Sequence, residues 1–187
     1  MKTKIFKLFA FVIIAQISLY ACCGDEFNIF ISNLEISVID DADNDNSSVA
    51  SEDFSLRFIP DYQTERISFL STNAGFINTA NATSCDEIYY RINLAEEITL
   101  TANVPLFGIP AGNSLNDHVI VEFQFQEGNQ ITMNELLLDI NDSLNSFQYF
   151  LRFDTEIPAM TTAKFTMTVV FENDEQLTNT TTAVTFE

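Results

Sequence analysis

Four apolar side chains, Phe165, Met167, Val169 and Phe171, alternate along the chain against Thr166, Thr168 and Glu172. Side chains on a strand point to opposite faces in turn, so this spacing buries one face and leaves the other in water. A helix cannot use such a pattern. The same period recurs at Leu34, Ile36 and Val38, at Phe54, Leu56 and Phe58, at Val119, Val121, Phe123 and Phe125, and at Phe147, Tyr149, Leu151 and Phe153. Eighteen Phe and five Tyr supply more apolar surface than a solvated coil carries.

The rest of the chain fits around these runs. Residues 66–70, 88–94 and 98–104 read as further strands, and Val184-Thr185-Phe186 ends a last one that comes after a hairpin turn at Asn173-Asp174-Glu175. Pro60 is expected to end the strand of Phe58, Ala95-Glu96-Glu97 to form a turn, and Glu127-Gly128-Asn129 another. Polar residues 40–52 and 73–84 read as loops, as does 105–117 with Gly108, Pro110 and Gly112. Residues 134–140 suit a short helix or a buried strand equally, and no helix longer than two turns is expected. About nine strands with short turns predict an all-β fold, an antiparallel β-sandwich of immunoglobulin-like type. A small β-barrel is the alternative, because its alternation looks the same.

The N-terminus reads as an export segment. Lys2, Lys4 and Lys7 precede an apolar run over residues 8–20, and no acidic residue occurs before Cys22. The run is shorter than the roughly 20 residues a spanning helix needs. Leu19-Tyr20-Ala21-Cys22 resembles the lipobox of bacterial lipoproteins. That resemblance implies a signal peptide over 1–21, a lipidated tether over 22–27 and a single β-sandwich domain over 28–187. The anchor would be acyl chains such as palmitate on Cys22. Each buried methylene contributes about 0.8 kcal/mol, so two or three chains hold where one does not.

Charge bounds the partners. Without the three lysines of the export segment, five basic residues face 27 acidic ones, and the formal charge falls from −19 to −22. Such a field repels nucleic acid and anionic headgroups, which excludes both as direct partners. Contact with the membrane must then run through the N-terminal lipid.

The Cys22-Cys23-Gly24-Asp25-Glu26 start, the β-rich body and Ile109-Pro110-Ala111-Gly112 with Leu115-Asn116-Asp117 resemble small envelope lipoproteins of the Bacteroidota. Those carry an all-β domain of unknown function. The resemblance covers residues 22–187. It implies a cell-envelope, outer-membrane lipoprotein on the periplasmic or surface face, and it carries no activity with it. In such bacteria, acidic residues just after the lipidated cysteine favour surface display. Asp25 and Glu26 fit that pattern, or serve only as a solvated tether.

Candidate sites are few. With Cys22 acylated, Cys23 and Cys85 are an even pair in an oxidising compartment, either bridged or left as two thiols. Asp41, Asp43, Asp45 and Glu52 stand at positions 1, 3, 5 and 12 of a calcium-loop spacing. Asn46 replaces the usual glycine and the flanks are strands, so a solvated acidic hairpin fits as well. Asp142-Ser143-Leu144 resembles the acceptor motif for O-glycosylation in Bacteroidota, in a polar stretch expected to be exposed. His118 is the sole histidine, no nucleophile elbow or phosphate loop occurs, and no tryptophan offers a sugar platform. The expectation is a non-enzymatic binding or scaffolding module without a cofactor, its partner an envelope protein or glycan. A calcium-dependent adhesion or carbohydrate-binding module is the alternative, and a hydrolase ranks third.

Overall fold

The computed structural model describes residues 11–12, 26–40, 48–51, 54–67, 87–123 and 126–187. Twelve strands run in this order: β1 (Glu26–Ile39), β2 (Ser48–Val49), β3 (Ser55–Arg66), β4 (Ile88–Arg91), β5 (Ala95–Ala102), β6 (Val119–Phe123), β7 (Gln126–Ile131), β8 (Tyr149–Phe153), β9 (Thr162–Ala163), β10 (Phe165–Phe171), β11 (Gln176–Thr180) and β12 (Val184–Phe186). The α-helix α1 (Met133–Asp142) lies between β7 and β8, and a 3-10 turn spans Asn116–His118 before β6. The fold is all-β, as the period-two runs require.

Three sheets form, in the strand orders β4-β1-β3-β8-β6-β7, β11-β10-β5 and β2-β12-β9. The β12–β2 pair runs parallel, so the fold is not purely antiparallel. The chain divides into two units. In the smaller one (residues 1–28 and 64–90), the Ile67 amide donates to the Glu26 carbonyl at 2.9 Å, and the Phe27 and Tyr89 rings stack at 5.5 Å. The core described below and α1 belong to the larger unit, residues 29–63 and 91–187.

The core of this larger unit is built from the apolar faces of the alternating strands. Phe165, Met167 and Val169 are fully buried, as are Leu56, Phe58, Leu100 and Val121. Four rings join elements of all three sheets. Phe54, just before β3, packs on Phe153 of β8, Phe165 of β10 and Phe186 of β12 at 5.9, 5.5 and 5.0 Å. Phe153 also meets Phe165 at 5.6 Å, so the six-stranded and three-stranded sheets face each other across one core.

The opposite face of β10 is a rank of threonines. Thr166 stands opposite Thr101 and Thr180, and Thr168 opposite Thr99 and Thr178. The hydroxyls of Thr166 and Thr180 pair at 2.9 Å and those of Thr168 and Thr178 at 3.3 Å. Thr–Thr pairs of this kind contribute roughly 0.2–1 kcal/mol each.

Several local expectations are corrected. Pro60 does not end its strand. β8 faces β3 only at residues 56–58, so Pro60 lies past the last paired position and withholds no ladder donor there. Further along, the Tyr62 amide donates to the Ser146 hydroxyl instead of to a strand. Ala95-Glu96-Glu97 opens β5 rather than forming a turn, because Ala95 is buried opposite Phe171. β6 and β7 pair up to Phe123 opposite Gln126. Glu127-Gly128-Asn129 is the extra backbone of a bulge, since Glu122 pairs with Gln130 while the next residue, Phe123, pairs with Gln126. The last expected strand is two, β11 and β12. Between them, Thr181 accepts the Phe165 amide on its hydroxyl and returns its own amide to the Phe165 carbonyl, and the chain then changes sheets.

α1 settles the ambiguity at 134–140 and exceeds two turns. Thr132 caps it: its hydroxyl accepts the Glu135 amide, and the Glu135 carboxylate accepts the Thr132 amide at 2.8 Å. This reciprocal box satisfies two donors that a bare helix start leaves open. Met133, Leu136 and Ile140 then fall on one buried stripe. Thr132→Ala is expected to destabilise the fold by about 1 kcal/mol, read as a lower urea midpoint at unchanged slope. The two bonds from Thr132 also hold the Glu135 carboxyl below its ordinary range. Its contribution is therefore present above the unfolded value and is lost as pH falls through the folded one.

Candidate functional site

The end of α1 concentrates the polar chemistry of the larger unit. A helix leaves its last carbonyls without partners, and no basic residue lies in the last turn of α1. Other elements supply the donors. The Ser143 amide takes the Asp139 carbonyl at 2.9 Å, and the Tyr62 hydroxyl of β3 donates to the Ile140 carbonyl at 2.7 Å. Arg91, at the end of β4, donates from Nη2 to the Ser143 carbonyl. Its guanidinium lies 4.9 Å from the centroid of the Tyr62 ring. A cation here offsets the negative end of the helix dipole.

Two more contacts fix the same end. The Tyr149 hydroxyl of β8 donates to Asp139 Oδ2 at 2.6 Å. The Asn141 amide spans one residue of β5: Oδ1 accepts the Ala95 amide at 2.9 Å, and Nδ2 donates to the Ala95 carbonyl at 2.8 Å. Burial holds the Tyr62 phenol well above the ordinary tyrosine range, though nearby Arg91 pulls it back. Burial raises Tyr149 further, helped by its bond to Asp139. Both phenols therefore remain neutral donors. Burial lowers Arg91, against the favourable charge of Asp142.

Apolar side chains surround this fixed end yet remain in water. Leu138 is 65% exposed, Ile92 54%, Leu144 49% and Leu94 38%. Ile92 and Leu94 sit between Arg91 and Ala95, the two residues bonded to Ser143 and Asn141. Leu144 comes directly after Ser143, and Leu138 lies one turn before Asn141. All four thus stand within three residues of a side chain or backbone group bonded at this junction. Glu96, Glu97 and Asp142, close to them in sequence, are exposed as well.

His118 occupies another corner. Its Nδ1 lies 3.1 Å from Asp154 Oδ1, and its ring packs on Phe107 at 5.0 Å. Phe107 and Gly108 both have positive φ, as the tight reversal from Leu106 to Ile109 requires. The Asp154 carboxyl sits below its usual range, held by His118 first and Thr155 second. A cavity of about 180 Å³ near Asp154 and one of about 230 Å³ beside Thr132 both fall short of the roughly 300 Å³ at which ligand pockets begin.

Most sequence-predicted sites lie outside the described residues: Cys22, Cys23, Cys85, Asp41, Asp43, Asp45 and Glu52. Among the described residues, no three metal-ligating side chains cluster. Ser143 is described, and it corrects an expectation. It is 9% exposed, enclosed by the helix end and Arg91, whereas its neighbours Asp142 and Leu144 are exposed. The sequence does not single out the junction itself. Its one local signal is Leu136-Leu137-Leu138, three consecutive leucines of which a helix buries only some. No family model matches this sequence, and no curated protein or solved structure is significantly similar to it.

Proposed function

We propose that this chain is a lipid-anchored, non-enzymatic binding module of the cell envelope, tethered through Cys22 to the outer membrane. The observation that carries the binding half is the exposed apolar ring of Ile92, Leu94, Leu138 and Leu144 on a helix end tied to β3, β4, β5 and β8. Isolated exposed leucines are ordinary, but a group on a rigid base with a polar rim marks a contact surface.

The anchoring half rests on the lipobox-like Leu19-Tyr20-Ala21-Cys22 and the basic start before it. Among the described residues, no helix is long and apolar enough to cross a membrane. Metabolic labelling with a palmitate analogue tests the anchor. The wild-type chain is expected to take up label and partition into detergent, and Cys22→Ser to do neither. Label retained by Cys22→Ser would overturn the assignment.

A further inference from the structure

We infer that the apolar ring at the end of α1 docks a cationic amphipathic segment of a protein partner, one that presents aliphatic side chains flanked by Lys or Arg. This deepens the binding reading and rests on it. The apolar part comes from Leu138, Ile92, Leu144 and Leu94, all more than a third exposed. The charge comes from the rim. Glu96, Glu97 and Asp142 are exposed, and Arg91 is the only basic residue within 91–97 and 132–147. Arg91 meets the charge of Asp142, while its Nη2 is bonded to the Ser143 carbonyl, its guanidinium lies over the Tyr62 ring and its Nη1 is shut off from water, so Glu96 and Glu97 stay in excess.

The same charges argue against other occupants. A second copy would bring an identical acidic rim, on a chain whose exported part carries −22, against the first. An anionic lipid surface would be repelled for the same reason. A cationic segment gains twice: its aliphatic side chains cover the exposed apolar ones, and its charges meet Glu96 and Glu97. The platform needs no rearrangement, because hydrogen bonds from four strands already hold the helix end.

The test uses the full-length lipoprotein in zwitterionic nanodiscs, with empty discs as the baseline. Three fluorescein-labelled peptides serve as probes: an amphipathic Leu–Lys peptide, its Leu–Glu counterpart, and oligolysine matched in charge to the first. The Leu–Lys peptide is expected to bind at least tenfold more tightly than oligolysine, with an affinity that falls as salt rises. Ile92→Ser with Leu138→Ser should remove that tenfold and leave oligolysine binding unchanged. Both side chains are largely exposed, so an unaltered thermal melt will certify the fold of the variant. If oligolysine and the Leu–Lys peptide bind alike, the acidic surface only collects cations and the inference falls. If the Leu–Glu peptide binds in a Leu138-dependent way instead, the contact surface stands and its cationic partner falls. If the wild-type protein self-associates through Leu138 in sedimentation, the occupant is a second copy. If the double substitution changes nothing, the inference and the binding reading both fall.

Discussion

Phe165→Ala is expected to destabilise the domain by about 3–5 kcal/mol, the largest single-substitution effect expected in this fold. Phe165 is fully buried and touches Phe54 at 5.5 Å, Phe153 at 5.6 Å and Phe186 at 6.4 Å. These rings belong to different sheets, so closing the cavity requires backbones to move together. Phe165 is also bonded through both its amide and its carbonyl to Thr181, where the chain leaves one sheet for another. Collapse around the missing ring is thus restrained, and the cavity cost adds to the lost burial. Against a typical stability of about 5–15 kcal/mol, the variant should show a much lower urea midpoint and little folded protein at 37 °C. Thr168→Ala, on the outer face of the same strand, should cost no more than about 1 kcal/mol. A Phe165→Ala midpoint as close to wild type as that of Thr168→Ala would mean that the four rings repack freely, and the sheet-to-sheet role of this cluster would be wrong.

Asn141→Leu is expected to cost about 2–5 kcal/mol through hydrogen bonds rather than packing. The side-chain amide acts as a surrogate strand, meeting the amide and the carbonyl of Ala95. Ala95 is only 5% exposed, so leucine would leave two buried backbone groups without partners. Each such group costs about 1–3 kcal/mol, because water cannot replace the lost bond. Two further asparagines work alike. Asn93 meets the amide and carbonyl of Ile31 at 3.1 and 3.0 Å. Asn116 meets the Leu100 amide at 2.9 Å and the Ile98 carbonyl at 2.7 Å. Asn141→Asp keeps the acceptor but loses the donor, and should fall between wild type and leucine. Hydrogen exchange gives a second reading: the Ala95 amide should lose protection in Asn141→Leu while the centre of β10 keeps its own. A wild-type melt together with unchanged Ala95 exchange would show that this clamp contributes nothing.

Period-two patterning determined a good deal by itself. Side-chain alternation is a local property of an extended chain, so Leu34, Ile36 and Val38, or Phe165, Met167 and Val169, declare their buried face before any partner is known. Residues 134–140 were ambiguous, because Leu136-Leu137-Leu138 satisfies either period and only packing of Met133, Leu136 and Ile140 against the sheets chose the helix. Pro60 and Ala95 went the other way for a related reason. Whether a proline ends a strand depends on where its neighbour stops, and whether an alanine near two glutamates turns or pairs depends on the residue opposite. The junction at the end of α1 was illegible for the plainest reason. Arg91 and Ser143 are 52 residues apart, and Tyr62 and Ile140 are 78 apart. No local spacing encodes such a meeting. Only the strand order, which sets β3, β4, β5 and β8 around one helix end, brings the donors to the carbonyls and leaves four aliphatic side chains facing water.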